Sequence, residues 1–406
     1  MSTPFELPRI INATGTVTRL GASPLAPEVV AAMADAAASS VDIAELQGRA
    51  SEVIAGCTGA EAGIVTSGAM AGLLVGAAAC MTGLDPSKMA RLPETDGMRN
   101  EFVIARSHRN SYDHGVRAAG GRLVEVGLPD RLTACGVRDT EAWEMAAAIT
   151  PRTAGVVYLA RADARPALGE VVRVAHAAGL PVLVDAAAEL PPAANLRRFI
   201  AEGADLVAFS GGKALGGPSA TGILCGRRTL VGAALLQMLD LDYLYEDWTP
   251  PVHLIDKAAL PGVPRHGIGR GCKVGKEQIA GLVTALLRFT EDSDAARKRR
   301  YAGVLKAVMA TLRPAAGLSA RVVTDALHGD MPLIELKIDA AQATRSAGAL
   351  AAALREGSPA VHVDATAADL GVLCVVPTCL TAADATLVGG AITRLLAPSI
   401  IRTGES

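Results

Sequence analysis

The sequence predicts an α/β protein with a mostly parallel seven-stranded sheet covered by helices on both faces, followed by a smaller C-terminal α+β domain. Two observations carry this reading. Between about residues 60 and 230, seven short apolar runs alternate with alanine-rich helical patterns, the mark of βαβ units. From 290 to 400 the pattern becomes helix, strand, strand, helix, strand, strand, helix, a segregated order that fits a second unit. A chain of 406 residues is long enough for both cores.

Taken in order, the first residues are interrupted by proline and read as an arm, 1–45. The large domain follows at 46–288, with strands expected at 62–67, 101–107, 121–127, 154–160, 180–186, 204–210 and 221–226. The helical patterns "EVVRVAHAAG" and "AANLRRFIAEG" each end in a glycine suited to close a helix. After Gly275 the helix "KEQIAGLVTALLRFTED" leads out of this core, and the small domain is assigned to 289–400.

Composition narrows the function classes. Half of the residues are hydrophobic and mean hydropathy is +0.32, but the longest apolar stretch, "AGLLVGAAACM" from Ala71, falls short of the roughly 20 residues that span a bilayer. It reads as a buried helix, and no membrane partner is expected. The opening "MSTPFELPRI" has neither a basic nor an apolar leader region, so a cytoplasmic location is expected. Seven cysteines, an odd number without paired ligand spacing, argue against a disulfide framework and a zinc site. No metal is expected. A net charge of −2 and 3% aromatic residues supply neither the basic surface nor the stacking platforms of a nucleic-acid binder.

The chemistry lies at strand ends. "LPVLVDAAAE" places Asp185 where an apolar strand stops, and Lys213 follows the next strand, "ADLVAFS", inside "SGGKALGGP". Ligands of open parallel sheets sit at the carboxyl ends of strands, so the two side chains arrive at one edge. Taken singly, Asp185 is also consistent with a helix cap and Lys213 with a solvated loop. In "GIVTSGAMAGLL" a strand runs through Thr66, Ser67, Gly68 and Ala69 into a helix, which offers free N–H groups and a positive dipole end to a phosphate, or an ordinary N-cap. Together, a phosphate seat, a carboxylate and a lysine match pyridoxal phosphate: phosphate on the helix end, with Ser210 adding a hydroxyl, carboxylate on the pyridine nitrogen, lysine in Schiff-base linkage.

With these motifs, and with "INATGTVTRLG", "SHRNSYDHGVRAAGGRLVEVG", "VDAAAELPP" and "GIGRGCKVGKEQI" in order along most of the chain, the sequence resembles fold-type I pyridoxal phosphate enzymes. Within them it is similar to the branch of selenocysteine synthase (L-seryl-tRNA selenium transferase) and D-glucosaminate-6-phosphate ammonia-lyase. The resemblance implies that Lys213 carries the cofactor, that Asp185 keeps the ring nitrogen protonated, that His108 stacks on the ring and that Ala187 packs on its other face. It also implies that Arg270, Lys273 and Lys276 hold a substrate anion, in a homodimer or larger homo-oligomer. Cysteine desulfurases carry Gln and His where this chain has Ala188 and Gly212, which disfavours desulfuration.

The expected activity is removal of ammonia by α,β-elimination from a hydroxylated amino acid or amino-sugar acid, giving a 2-keto acid. A small-molecule amino acid substrate is thus the expected partner, with no nucleic acid. A racemase or epimerase would need a second acid opposite Lys213, which no residue of the sequence announces. A selenocysteine-synthase-like transferase would need a tRNA-binding segment ahead of "INATG", which here begins at residue 11. A non-catalytic pyridoxal phosphate binder is the remaining alternative.

Overall fold

Residues 7–130, 138–325 and 329–397 are described in this computed structural model. They fall into two compact units, Leu25–Glu291 and the chain through Pro24 together with Asp292 onward. Residues 1–45, read from sequence as one arm, therefore divide. Strand β1 (Ile10–Ala13) belongs to the small unit, while helices α1 (Pro27–Ala37) and α2 (Ile43–Thr58) belong to the large one. The reason is packing: Ile11 and Ala13 are buried, and β1 satisfies its backbone by pairing within the small unit.

The large unit holds strands β2 (Ala62–Thr66), β3 (Glu101–Ala105), β4 (Arg122–Val126), β5 (Thr153–Leu159), β6 (Val182–Asp185), β7 (Leu206–Ser210) and β8 (Gly222–Gly226). Their order across the sheet is β2-β8-β7-β6-β5-β3-β4. Among them β8 runs antiparallel to both neighbours, so β2 points the same way as the rest. Strands β2, β3 and β6 are buried along their whole length, which is why they read as continuous apolar runs rather than alternating ones. Helices α3 (Ala69–Thr82), α4 (His114–Ala118), α5 (Ala142–Ala147), α6 (Leu168–Ala177), α7 (Asn195–Ala201), α8 (Arg228–Met238) and α9 (Lys276–Glu291) also belong to the unit, together with a single helical turn at Pro86–Met89. From β5 the chain winds through β6 to β7, whereas β4 lies on the far side of β3. That reversal opens the crevice at the carboxyl ends of the strands, where ligands of such sheets bind.

The small unit contains α10 (Asp294–Thr311), β9 (Leu318–Asp325), β10 (Met331–Ile338), α11 (Ala347–Arg355), β11 (Ala360–Val363), β12 (Val372–Val375) and α12 (Ala382–Leu396). Its three-stranded sheet has the order β12-β10-β9, and β11 instead pairs in parallel with β1, Ile10 opposite Ala360. Leu305, Val308, Ile334, Leu336, Val388 and Ile392 form its core.

The end of the large sheet away from the crevice is tied by one buried carboxylate. Asp205, 3% exposed, accepts hydrogen bonds from the Val182 N–H at 2.8 Å and from Arg227 Nη1 at 3.1 Å, and contacts His176 Nε2 at 2.8 Å. It joins β6, β8 and α6 to the start of β7. Asp205→Ala leaves a buried N–H and two basic groups without their acceptor, and should cost about 2–4 kcal/mol of stability. Equilibrium urea unfolding of the variant measures this, and a loss below about 1 kcal/mol would remove Asp205 from that role.

Candidate active site

The sheet brings Lys213 and Asp185 to one edge because β6 and β7 are parallel neighbours, with Asp185 opposite Ala208. Asp185 is the last residue of β6, and Lys213 lies three residues beyond Ser210, the last of β7. The glycines before Lys213 serve the protein's own backbone. A Cβ on Gly211 would come within 2.2 Å of Thr221 Oγ1, and one on Gly212 within 2.6 Å of Ser219 Cα. The turn folds directly onto the segment leading into β8, with the Gly211 N–H bonded to the Thr221 carbonyl at 2.8 Å. This close approach fixes where Lys213 leaves the sheet.

Asp185 is 5% exposed. Burial pushes its carboxyl above the ordinary carboxylate range, and the Ala187 N–H, Lys213 and the Asn110 side chain act against that push. The Ala187 N–H lies 3.1 Å from Oδ1. Asn110 accepts the Tyr112 N–H on its Oδ1 at 2.7 Å, which leaves its amide N–H₂ to donate to Asp185. Lys213 is half-buried; burial draws its amine below the usual lysine value while Asp185 and Glu189 hold it up. Asn110 and Glu189 were not among the residues singled out from sequence. Each lies inside a motif that was, two residues after His108 and four after Asp185, and a polar side chain just beyond a strand end of the crevice is the signal that marks them.

Ser67, Gly68 and Ala69 form the turn from β2 into α3. Gly68, at φ +106°, is the N-cap and supplies no side-chain acceptor, so the first N–H groups of a 14-residue helix point into the turn without a side-chain cap. Strand β8 lies against this turn because Gly222 has no side chain: a Cβ there would be 2.5 Å from Gly68 C and 2.6 Å from Ala69 N. Cys272, given no role from sequence, is hydrogen-bonded to the Ser67 side chain, and burial raises its thiol. Ser210 and Ala187 are both half-buried at the ends of β7 and β6.

His108 and the cation cluster lie in surroundings that the sequence did not predict. His108 is 2% exposed, its ring edge-on to Tyr158 at 4.7 Å between centroids. Burial, with Arg161 adding to it, pushes its pKa down to about 4. The ring thus meets Tyr158 rather than solvent. The three cations of "GIGRGCKVGKE" do not converge either. Arg270 Nη2 is 2.6 Å from Asp240, beside Asp242 and His266. Lys276 binds the Ala37 carbonyl at 3.1 Å and the Ser39 carbonyl, where the negative end of α1 holds it. Residues 268–272 are a 3₁₀ turn that Lys273 closes, and Lys276 opens α9. Arg270 and exposed Lys273 share a cavity of about 460 Å³ with Asp240, Gln47 and Gln278.

These residues fit pyridoxal phosphate. A cap-free helix start answers a phosphate, a buried carboxylate answers a ring nitrogen that carries a proton, and a lysine in the turn after the neighbouring strand lies within electrostatic reach of that carboxylate. Fold and site define an enzyme of the fold-type I pyridoxal phosphate class. The L-seryl-tRNA selenium transferase family pattern matches residues 10–242, and the chain belongs to that family. It is 34% identical over 382 residues to a 5'-C-glycyluridine monooxygenase-decarboxylase from a Streptomyces species, covering 92% of this chain and 86% of that protein. It is 32% identical over 364 residues to D-glucosaminate-6-phosphate ammonia lyase from Salmonella typhimurium, covering 88% and 87%. A solved structure of a D-glucosaminate-6-phosphate ammonia-lyase superposes with a TM-score of 0.78 at 30% identity over 97% of both chains. An Escherichia coli cysteine desulfurase, at 17% identity, 95% coverage of both chains and TM-score 0.54, shares the fold alone. No helix among the described residues is long and apolar enough to cross a membrane.

The phosphate seat yields a direct test. Gly222→Ala places a methyl where Gly68 and Ala69 now lie, so the turn must move and its N–H groups lose their aim. The dissociation constant for pyridoxal phosphate, measured by absorbance titration of the apo-protein, should rise about tenfold or more; an unchanged constant with retained fold would place the phosphate elsewhere.

Proposed function

We propose that this protein is a pyridoxal phosphate-dependent ammonia-lyase that eliminates ammonia from a hydroxylated amino acid or amino-sugar acid. The observation that carries the reading is the placement of Lys213 and Asp185 at the ends of adjacent parallel strands, in a chain similar over 97% of its length to an ammonia-lyase. Bound pyridoxal phosphate supplies an electron sink for the pair left at Cα. In this reading Asp185 keeps the ring nitrogen protonated, and Ser67 to Ala69, with Ser210, hold the phosphate. Lys213 takes the Cα proton as general base. The Cβ hydroxyl departs as water, and hydrolysis of the resulting imine consumes one water, so substrate becomes 2-keto acid plus ammonia with nothing else required. The purified protein should release the two products in equal amounts from such a substrate, and Lys213→Ala should abolish both. Borohydride reduction followed by peptide mapping should find the cofactor on Lys213, and an adduct on another lysine would end this assignment.

A second reading rests on the 34% identity to a monooxygenase-decarboxylase: the same residues would serve an oxygen-consuming decarboxylation. Turnover that continues without oxygen and releases no carbon dioxide excludes it.

Arg270 remains the candidate for the substrate anion, since its planar fork meets a carboxylate or phosphate with two hydrogen bonds. Its present partner Asp240 is exposed, and an entering anion competes for the guanidinium. Arg270→Ala should raise KM about tenfold to a hundredfold, equivalent to roughly 1.5–3 kcal/mol, with Arg270→Lys recovering part of it. Cys272, two residues on, touches the phosphate seat, so cofactor affinity is measured alongside. Release of pyridoxal phosphate with no change in substrate affinity would transfer Arg270 to the cofactor.

A further inference from the structure

The cavity shared by Arg270 and Lys273 has a lining that specifies more than an anion. It encloses about 460 Å³ in the large unit and is lined by the start of α2, the end of α8 and the segment from the 3₁₀ turn into α9. That is room for a small organic molecule. Its apolar lining comprises the buried Leu235, Met238, Leu239 and Val274 and the exposed Ile43. A second hollow of about 170 Å³ shares Ile43, Leu239 and Asp240 with it and adds Tyr243 and Trp248. The polar side chains of the cavity are mostly committed. Gln47 donates to the Val65 carbonyl at 2.8 Å and accepts the Val65 N–H at 3.0 Å, so both ends of its amide serve β2. Gln278 accepts the Gly275 N–H at 3.0 Å on its Oε1, which leaves its N–H₂ to donate. Asp240, the one carboxylate of the lining among the described residues, lies 2.6 Å from Arg270 Nη2. The side chains left for a ligand are therefore donors: the Arg270 guanidinium, the exposed Lys273 ammonium and the Gln278 amide. Donors of this kind answer an acceptor that carries negative charge. A ligand hydroxyl must also donate, and a hydroxyl taken out of water without an acceptor weakens binding.

We propose that this cavity binds an organic anion with an apolar body, the carboxylate or phosphate on Arg270 and Lys273 and the carbon chain against Leu235, Met238 and Leu239, and that it rejects polyhydroxylated chains. The inference rests on the reading of Arg270 as the residue for the substrate anion. Within the activity proposed above it selects a hydroxylated amino acid whose side chain is otherwise hydrocarbon over an amino-sugar acid, because the chain of a sugar acid would set several hydroxyls against an apolar wall.

The test compares anions of equal charge and carbon count by calorimetric titration of the holoenzyme: hexanoate against gluconate, and hexyl phosphate against glucose 6-phosphate. In each pair the hydrocarbon anion should bind about tenfold more tightly or better. Arg270→Ala should weaken its binding about tenfold, and Arg270→Gln accompanies it so that the result does not depend on the folding of one variant, with circular dichroism checking both. Ile43→Ala removes apolar surface and no charge, so it should weaken the hydrocarbon anions about threefold and leave gluconate and glucose 6-phosphate unchanged. Equal or tighter binding of the polyol anion in either pair, with Arg270 still required, overturns this inference and leaves the Arg270 reading standing. An unchanged affinity in Ile43→Ala places the chain outside the cavity and also overturns this inference alone. Affinities that do not respond to either Arg270 variant, or no binding of any of the four anions, overturn the inference together with the Arg270 reading.

Discussion

The parallel pairing of β6 with β7 is the constraint on which the rest of the site depends. It places Asp185 opposite Ala208, so a carboxylate ends one strand and a lysine turn begins beyond the next. Both strands are apolar and buried on both faces, so their register is held by backbone pairing and by fixed side-chain partners rather than by polar alternation. The Asp205 anchor at the far end, where the Asp205 N–H also bonds the Val182 carbonyl at 3.1 Å, holds the same two strands in register. Stability at one end of the sheet therefore secures chemical geometry at the other.

Burial then gives those side chains their character. A carboxylate removed from water tends to take a proton and an amine tends to lose one, and both trends act on Asp185 and Lys213. Hydrogen bonds and opposite charges oppose them. The Ala187 N–H and Asn110 act on Asp185, while Asp185 and Glu189 act on Lys213. The balance is a local one, set by residues from β3, β6 and β7 and the loops after them.

Glycine shapes the same edge, and chiefly through contact between protein segments. Gly211 and Gly212 let the Lys213 turn lie on residues 219–221, and Gly222 lets β8 lie under the Ser67–Ala69 turn. These glycines thus set the distance between the lysine and the phosphate seat, since both features are pressed against the strand that runs between them in the sheet.

Taken alone, the sequence determined the seven strands of the large sheet, the order of helices and strands from 290 to 400, and the positions of Asp185, Lys213 and the turn before α3, but not β1 or α1. Those features are local: a continuous apolar run, a glycine-rich stop and a strand-turn-helix order are legible without knowledge of what packs against them. Tertiary structure decided everything that depends on a distant partner. It drew β1 away from the arm to meet β11, because a four-residue strand becomes recognisable through the edge it pairs with. It separated Arg270 from Lys276, because Asp240 and the carbonyl end of α1 each claimed one cation. It covered His108 with protein, and it set Asn110 beside the carboxylate that ends β6, a pairing between segments far apart in the sequence. Periodicity reports which face a residue takes, whereas charge pairing and burial are settled by what the fold places opposite it.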